Sequence, residues 1–179
     1  PLFQVKTAEM AQLLMKDLRV EQASVRRSLP STLEIQIVER RPVATVDCDF
    51  GYVDLDREGT VIDAYKTLKK MPIPMVTGIK LKDIYIGDKT TDENLKAALV
   101  YLNALKPETN AQISEVSLKK PDDVMAYTTG GVQIRLGALD RLEEKAHLTD
   151  SFIVDQEVKQ RPVEYVDFKY TAPFIKLKQ

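Results

Sequence analysis

The sequence predicts an α+β chain in which a small helix-and-hairpin unit precedes a larger domain built on a mixed or antiparallel sheet with two helices. Three observations carry this reading. Several short runs alternate apolar with polar residues, as Leu33, Ile35 and Ile37 do with Glu34 and Gln36. Two longer stretches repeat apolar residues at helical spacing, one through Leu95, Ala98, Leu99, Leu102 and Leu105, the other through Leu142, Ala146, Thr149 and Phe152. Between the first hairpin and the rest stands Arg40-Arg41-Pro42. Proline cannot donate to a sheet ladder and pushes the preceding residue into an extended conformation, so the strand ends there and the chain divides into residues 1–43 and 44–179.

In chain order, Thr7 is placed to cap a short helix whose Met10, Leu13, Leu14 and Leu18 form one buried stripe. Ala23 and Val25, the turn signal Leu29-Pro30-Ser31, and Leu33 to Ile37 read as a hairpin with one buried face. YVDLDREGTVI reads as two strands around an Arg-Glu-Gly turn, with Asp54 and Asp56 solvated, and KKMPIPMVTG as an extended edge segment because of its prolines. Thr90 and Glu93 have the spacing of a capping box for the first long helix, which Pro107 stops. ISEVSL, VMAYTT and VQIRLG form a meander, its last turn built on Gly130-Gly131. After the second long helix, VEYVDFKY and PFIKLK close the chain as strands, with Val166, Phe168 and Tyr170 alternating against Tyr165, Asp167 and Lys169.

Composition narrows the function. The 179 residues are 44% apolar and 30% charged, an ordinary globular mixture, and 26 basic against 27 acidic residues leave a formal charge of -1. No overall positive field draws in nucleic acid or an anionic membrane. One cysteine, Cys48, allows neither an intramolecular disulfide nor a cysteine-cluster metal site. His147, the single histidine, sits on a helix with no Ser-Asp or Cys partner at a suitable spacing. No glycine-rich phosphate loop is present. The residues therefore offer no catalytic, metal or cofactor site. No apolar run spans a bilayer, and the chain opens at Pro1 without a methionine, so a leading anchor is expected to lie outside it.

The stretch from Val20 to Ala44 carries more than a hairpin. Val20, Ala23, Val25, Arg27, Pro30, Thr32, Leu33, Ile35, Ile37, Glu39, Arg40, Pro42, Val43 and Ala44 follow the pattern V-x-x-A-x-V-x-R-x-x-P-x-T-L-x-I-x-I-x-E-R-x-P-V-A. Downstream come YVDLDREGTVI, then VQIRLG followed by a helix containing Lys145, then YVDFKY. On these motifs, in this order, the chain resembles the FtsQ/DivIB family of bacterial cell-division proteins, in which a small POTRA domain precedes a β domain. The resemblance makes residues 1–43 a truncated POTRA-like βα remnant, since a POTRA domain has a strand and a helix before the helix that Thr7 begins. Residues 44–179 become the family's β domain. Leu29 stands where many relatives carry an aromatic residue, and the tryptophan some relatives have near the end is missing.

The resemblance implies a non-enzymatic scaffold on the extracytoplasmic face of the bacterial plasma membrane, tethered by a single membrane helix. Its implied partners in septum formation are FtsB (DivIC in Gram-positive bacteria) and FtsL, with septal peptidoglycan synthases as further candidates. The residues independently offer a surface for this. The closing strands place Tyr165, Asp167, Lys169, Tyr170, Phe174 and Lys176 at a sheet edge, where a partner strand can add through main-chain hydrogen bonds, the Lys176 amide among them. Arg40, Arg41 and Pro42 form the interdomain joint, where a guanidinium can hydrogen-bond carbonyls and limit rotation. A POTRA-type chaperone of outer-membrane protein assembly would show several repeats, and none is visible. A peptidoglycan-processing enzyme would need a placed nucleophile or metal, which leaves a peptidoglycan-binding module as the other alternative.

Overall fold

The computed structural model describes residues 6–178, and residues 1–5 of the N-terminal unit lie outside that range. The described chain divides into two compact units at Arg41 and Pro42.

The first unit contains α1 (Thr7–Leu14), β1 (Val20–Ser28) and β2 (Thr32–Glu39). The strands pair antiparallel with Val25 opposite Ile35 and Ala23 opposite Ile37. Two expectations fail here. Lys6, not Thr7, holds the N-cap position, without a side-chain capping bond. No residue of α1 is buried, and Leu13 is 64% exposed. Ile35 and Ile37 are about half exposed, at 50% and 48%. The reason is geometric: one eight-residue helix over a two-stranded sheet covers too little area to enclose a core, and among the described residues of this unit only Val20 and Val25 become buried.

The second unit is organised by one sheet of nine strands. These are β3 (Ala44–Cys48), β4 (Gly51–Leu55), β5 (Val61–Tyr65), β6 (Met75–Leu81), β7 (Ile113–Ser117), β8 (Val124–Thr128), β9 (Gln133–Gly137), β10 (Val163–Asp167) and β11 (Phe174–Leu177). Its helices are α2 (Glu93–Ala104), the single turn α3 (Pro107–Asn110) and α4 (Leu142–Lys159). Across the sheet the order is β11-β10-β9-β8-β7-β6-β3-β4-β5. The pairs β6/β7 and β9/β10 are parallel because α2 and α4 carry the chain back between them, and β3/β6 is parallel as well. Hairpin neighbours are antiparallel.

One face of this sheet is a continuous apolar row. Val53, Val46, Val76, Val116, Ala126, Ile134 and Val166 are successive cross-strand partners, each exposed by 1% or less. Leu95, Ala98, Leu99 and Leu102 of α2 and Ala146, Phe152 and Ile153 of α4 complete the same core. The two helices meet at a buried hydrogen bond between the Tyr101 and Thr149 hydroxyls, 2.8 Å long. With side chains alternating, the other face carries Tyr52, Thr77, Glu115, Tyr127, Gln133, Arg135 and Tyr165, all half-buried.

Local details differ from the sequence reading for identifiable reasons. Pro72 and Pro74 precede β6 rather than interrupt it, so β6 lies inside the sheet between β3 and β7, not at an edge, and the Pro74 carbonyl accepts from Thr45 N. Asp92 caps α2, accepting from Leu95 N at 2.8 Å, while Thr90 Oγ1 accepts from Asp92 N. The β8–β9 loop closes at Thr128 and Val132 and is longer than two residues. Asp54 and Asp56 are 2% and 1% exposed rather than solvated. Asp54 Oδ1 accepts from Thr45 Oγ1 at 2.7 Å and from the Tyr65 hydroxyl at 2.6 Å. Burial, reinforced by that bond to Asp54, pushes the Tyr65 phenol up to about 12. Asp56 Oδ1 accepts from Glu58 N and Thr60 N, which closes the β4–β5 turn around Gly59.

Candidate partner-binding edge

β11 is the last strand of the sheet order, and among the described residues no strand pairs with its outer side. All four of its residues are exposed, including Phe174 at 56%, Ile175 at 44% and Leu177 at 46%. It pairs antiparallel with β10, with Tyr165 opposite Lys176, Val166 opposite Ile175 and Asp167 opposite Phe174.

Backbone parity decides which groups of β11 are free. Phe168 N donates to Arg135 O, so Val166 and Phe168 turn their backbone groups toward β9, and Tyr165 and Asp167 turn theirs toward β11. Their partners Lys176 and Phe174 therefore face inward, consistent with Lys178 N donating to Pro162 O at 2.6 Å. The extra residue between Val163 and Tyr165 lies on β10, leaving β11 regular. The backbone groups on the open side belong to Ile175 and Leu177. The expectation that the Lys176 amide is offered to a partner is thus corrected: that amide is turned toward β10.

The proposed site residues separate into three groups. Tyr165 is half-buried on the open face, with the Arg135 guanidinium carbon 3.5 Å from its ring centroid and the Phe174 ring 6.1 Å away. Lys176 Nζ lies 5.7 Å from the same ring and pairs with Glu164 Oε2 at 3.1 Å. These side chains adjoin the edge. Asp167 and Lys169 instead build the turn after β10: Asp167 Oδ1 accepts from Lys169 N at 2.9 Å, and the Lys169 ammonium pairs with Asp123. That ammonium holds the Asp123 carboxyl below the usual carboxylate range. Tyr170 is set apart from both, 73% exposed, because β10 ends at Asp167 and the alternation with Val166 and Phe168 does not reach it.

At the joint, Arg40 Nε donates to Leu18 O at 3.0 Å and Nη2 to Val20 O at 3.4 Å, tying the end of β2 to the α1–β1 turn. Arg41 is exposed and Pro42 half-buried. Cys48 is buried and His147 exposed. Sequence reasoning missed Arg135, Ile175 and Leu177. Arg135 was legible in principle, since its alternation with Ile134 and Leu136 puts it on the polar face. The outward parity of Ile175 and Leu177 was not, because it depends on where β10 turns its backbone.

Two family descriptions match the chain: "Cell division protein FtsQ/DivIB, C-terminal" over residues 44–169, and "POTRA domain, FtsQ-type" over residues 1–40. Among similar proteins, Cell division protein FtsQ of Geotalea daltonii is 28% identical over 97% of this chain and 64% of its own length. Cell division protein FtsQ of Mycobacterium bovis is 33% identical over 82% of the chain and 44% of its own length. Cell division protein DivIB of Clostridium botulinum is 23% identical over 84% of the chain and 60% of its own length. The chain thus spans less than two thirds of these relatives. Among the described residues no helix is long and apolar enough to cross a membrane.

Proposed function

Because the chain belongs to the FtsQ/DivIB family of cell-division proteins, we propose that it is a non-enzymatic scaffold of the division machinery that captures a partner by strand addition at β11. The partners are proteins of the FtsB/DivIC and FtsL type, and the setting is the extracytoplasmic face of the plasma membrane, with a membrane tether on the N-terminal side of the first unit. One observation carries the reading: a regular edge strand whose Ile175 and Leu177 backbone groups have no partner among the described residues, with apolar side chains exposed on both faces. Such an edge is an aggregation hazard that natural sheets usually blunt, and its retention fits a strand template.

Added main-chain bonds at Ile175 and Leu177 would supply affinity, while contacts to alternate side chains would supply specificity. A partner side chain on the open face meets Phe174 and Lys176, and one on the helix face meets Ile175 and Leu177. The test separates backbone from side chain. Ile175→Pro deletes an outward N–H without removing a bond to β10, and Ile175→Ala keeps it. Calorimetry against the extracytoplasmic segment of the FtsB- or DivIC-type partner should show a loss of about 2 kcal/mol, roughly thirtyfold, for proline. Alanine should lose less than half of that free energy. Equal binding by Ile175→Pro and the parent would refute strand addition at this edge.

A further inference from the structure

The start of α4 breaks two local rules at once. Arg141 is its N-cap, with φ +46° and no side-chain capping bond, although only glycine, and less readily asparagine or aspartate, enters that left-handed region at low cost. The first turn holds Glu143 and Glu144, as the helix dipole favours, and Arg141 Nη1 pairs with Glu144 Oε1 at 3.3 Å; the second departure is Lys145, a lysine buried beside that helix N-terminus. Lys145 is 1% exposed. Violations of this kind persist where surrounding contacts hold them, and they are found at functional positions.

The contacts that hold this one lead to the binding edge. Lys145 Nζ donates to Ala138 O at 2.8 Å and to Asp140 Oδ1 at 2.6 Å, fixing the β9–α4 loop from inside. From that loop the Arg141 guanidinium donates to Lys169 O at 2.9 Å, in the turn that leads from β10 to β11. Lys169 is held from other sides as well, by its ion pair with Asp123 and by Gly137, where an added Cβ would lie 2.8 Å from Lys169 Cγ. Beyond Lys169, every residue from Tyr170 to Lys178 is exposed. No residue of β11 is buried, so its order rests largely on the ladder to β10 and on the anchored turn.

We propose that Arg141, seated by the buried Lys145, is the positioning residue of the partner edge, fixing the β10–β11 turn so that β11 is presented as a formed strand. This rests on the reading of β11 as the binding edge. A template that is formed only part of the time binds with an affinity reduced by that fraction, because the partner must first order it. Arg141 itself touches no partner. It acts through Lys169.

Arg141→Asn tests the assignment, because asparagine tolerates φ > 0 and is a better N-cap, so α4 itself should be at least as stable. What the variant loses is the reach to Lys169 O and the long, partly exposed ion pair with Glu144, which is local to α4 and worth little. In the full chain, amide hydrogen exchange should show protection at Phe174, Lys176 and Lys178 falling about tenfold, while Ile134 in β9 and Leu148 in α4 stay unchanged. Affinity for the FtsB- or DivIC-type extracytoplasmic segment should fall by up to the same factor. Unchanged protection in β11 overturns the proposal. So does loosened β11 with unchanged affinity where Ile175→Pro still abolishes binding, since the clamp then orders the strand without serving the partner. If neither Arg141→Asn nor Ile175→Pro alters affinity although β11 is loosened, the binding edge itself has been misplaced.

Discussion

The two ends of the nine-stranded sheet face the same problem and treat it in opposite ways. At β5, the outer backbone of Val61 is occupied: Gly87 N donates to Val61 O and Val61 N to Asp88 O, both at 2.8 Å. Further along, Asp63 pairs with Lys69 at 2.5 Å, and the Lys69 ammonium lies 4.2 Å from the Tyr65 ring centroid. A covering segment and charges on the strand are the usual devices that keep an edge from recruiting another chain. At β11 there is no covering segment among the described residues, and Ile175 and Leu177 leave both backbone and apolar side chains open. One sheet is thus covered at one end and left open at the other, and the difference lies in a few residues rather than in the fold.

The largest effect expected from breaking the contrast is at the guarded end. Gly51 begins β4 at φ +144°, and an added Cβ would lie 2.4 Å from Tyr65 O and 2.7 Å from Lys66 Cα, both backbone atoms that cannot swing away. Gly51→Ala should cost on the order of 3 kcal/mol in urea denaturation, as β5 and its cover are displaced. Lys176→Ala at the open edge is the control and should stay within about 0.5 kcal/mol.

A smaller effect should follow from removing the guard without disturbing the strand. Asp63→Val combined with Lys69→Thr leaves the β4–β5 ladder in place but strips its charges, and should produce concentration-dependent self-association in sedimentation measurements at tens of micromolar or so. If the double variant stays monomeric, the segment around Gly87 and Asp88 protects the edge by itself.

The contrast was only partly legible in the sequence. Alternation placed the closing strands, and helical spacing placed α2 and α4, because those patterns are local and their partners are close along the chain. The first unit misled because periodicity reports which side of an element is apolar and not whether enough neighbours exist to cover it, so Leu13, Ile35 and Ile37 stay exposed. Asp54 looked solvated because the hydroxyls that satisfy it, on Thr45 and Tyr65, come from two other strands. The position of β6 between β3 and β7 depends on a parallel pairing across distant segments, which no short pattern encodes. At β11, residue types located the strand, but the backbone parity that exposes Ile175 and Leu177 required the register.

The smallest expected effect is a pH dependence at the guarded end. The Lys69 ammonium bonded to Asp63 holds its carboxyl below the ordinary value. A carboxylate with a lowered folded-state pKa contributes stability above its unfolded value of about 4, and that contribution is lost as pH falls through the lower folded value. Since both side chains are nearly half exposed, at 48% and 46%, the contribution should stay below about 1 kcal/mol. Asp63→Asn should therefore match the parent at low pH and be slightly less stable at neutral pH, as read by denaturation midpoints across the range.

The central claim, that β11 is a strand template, is tested most directly by amide hydrogen exchange of the full chain with and without saturating FtsB- or DivIC-type extracytoplasmic segment. In the free protein, Ile175 and Leu177 should exchange rapidly while Phe174 and Lys176, bonded to β10, are protected. On binding, Ile175 and Leu177 should become protected as their amides gain partners. If those two amides still exchange rapidly in the saturated complex, no strand has been added at this edge and the claim is contradicted.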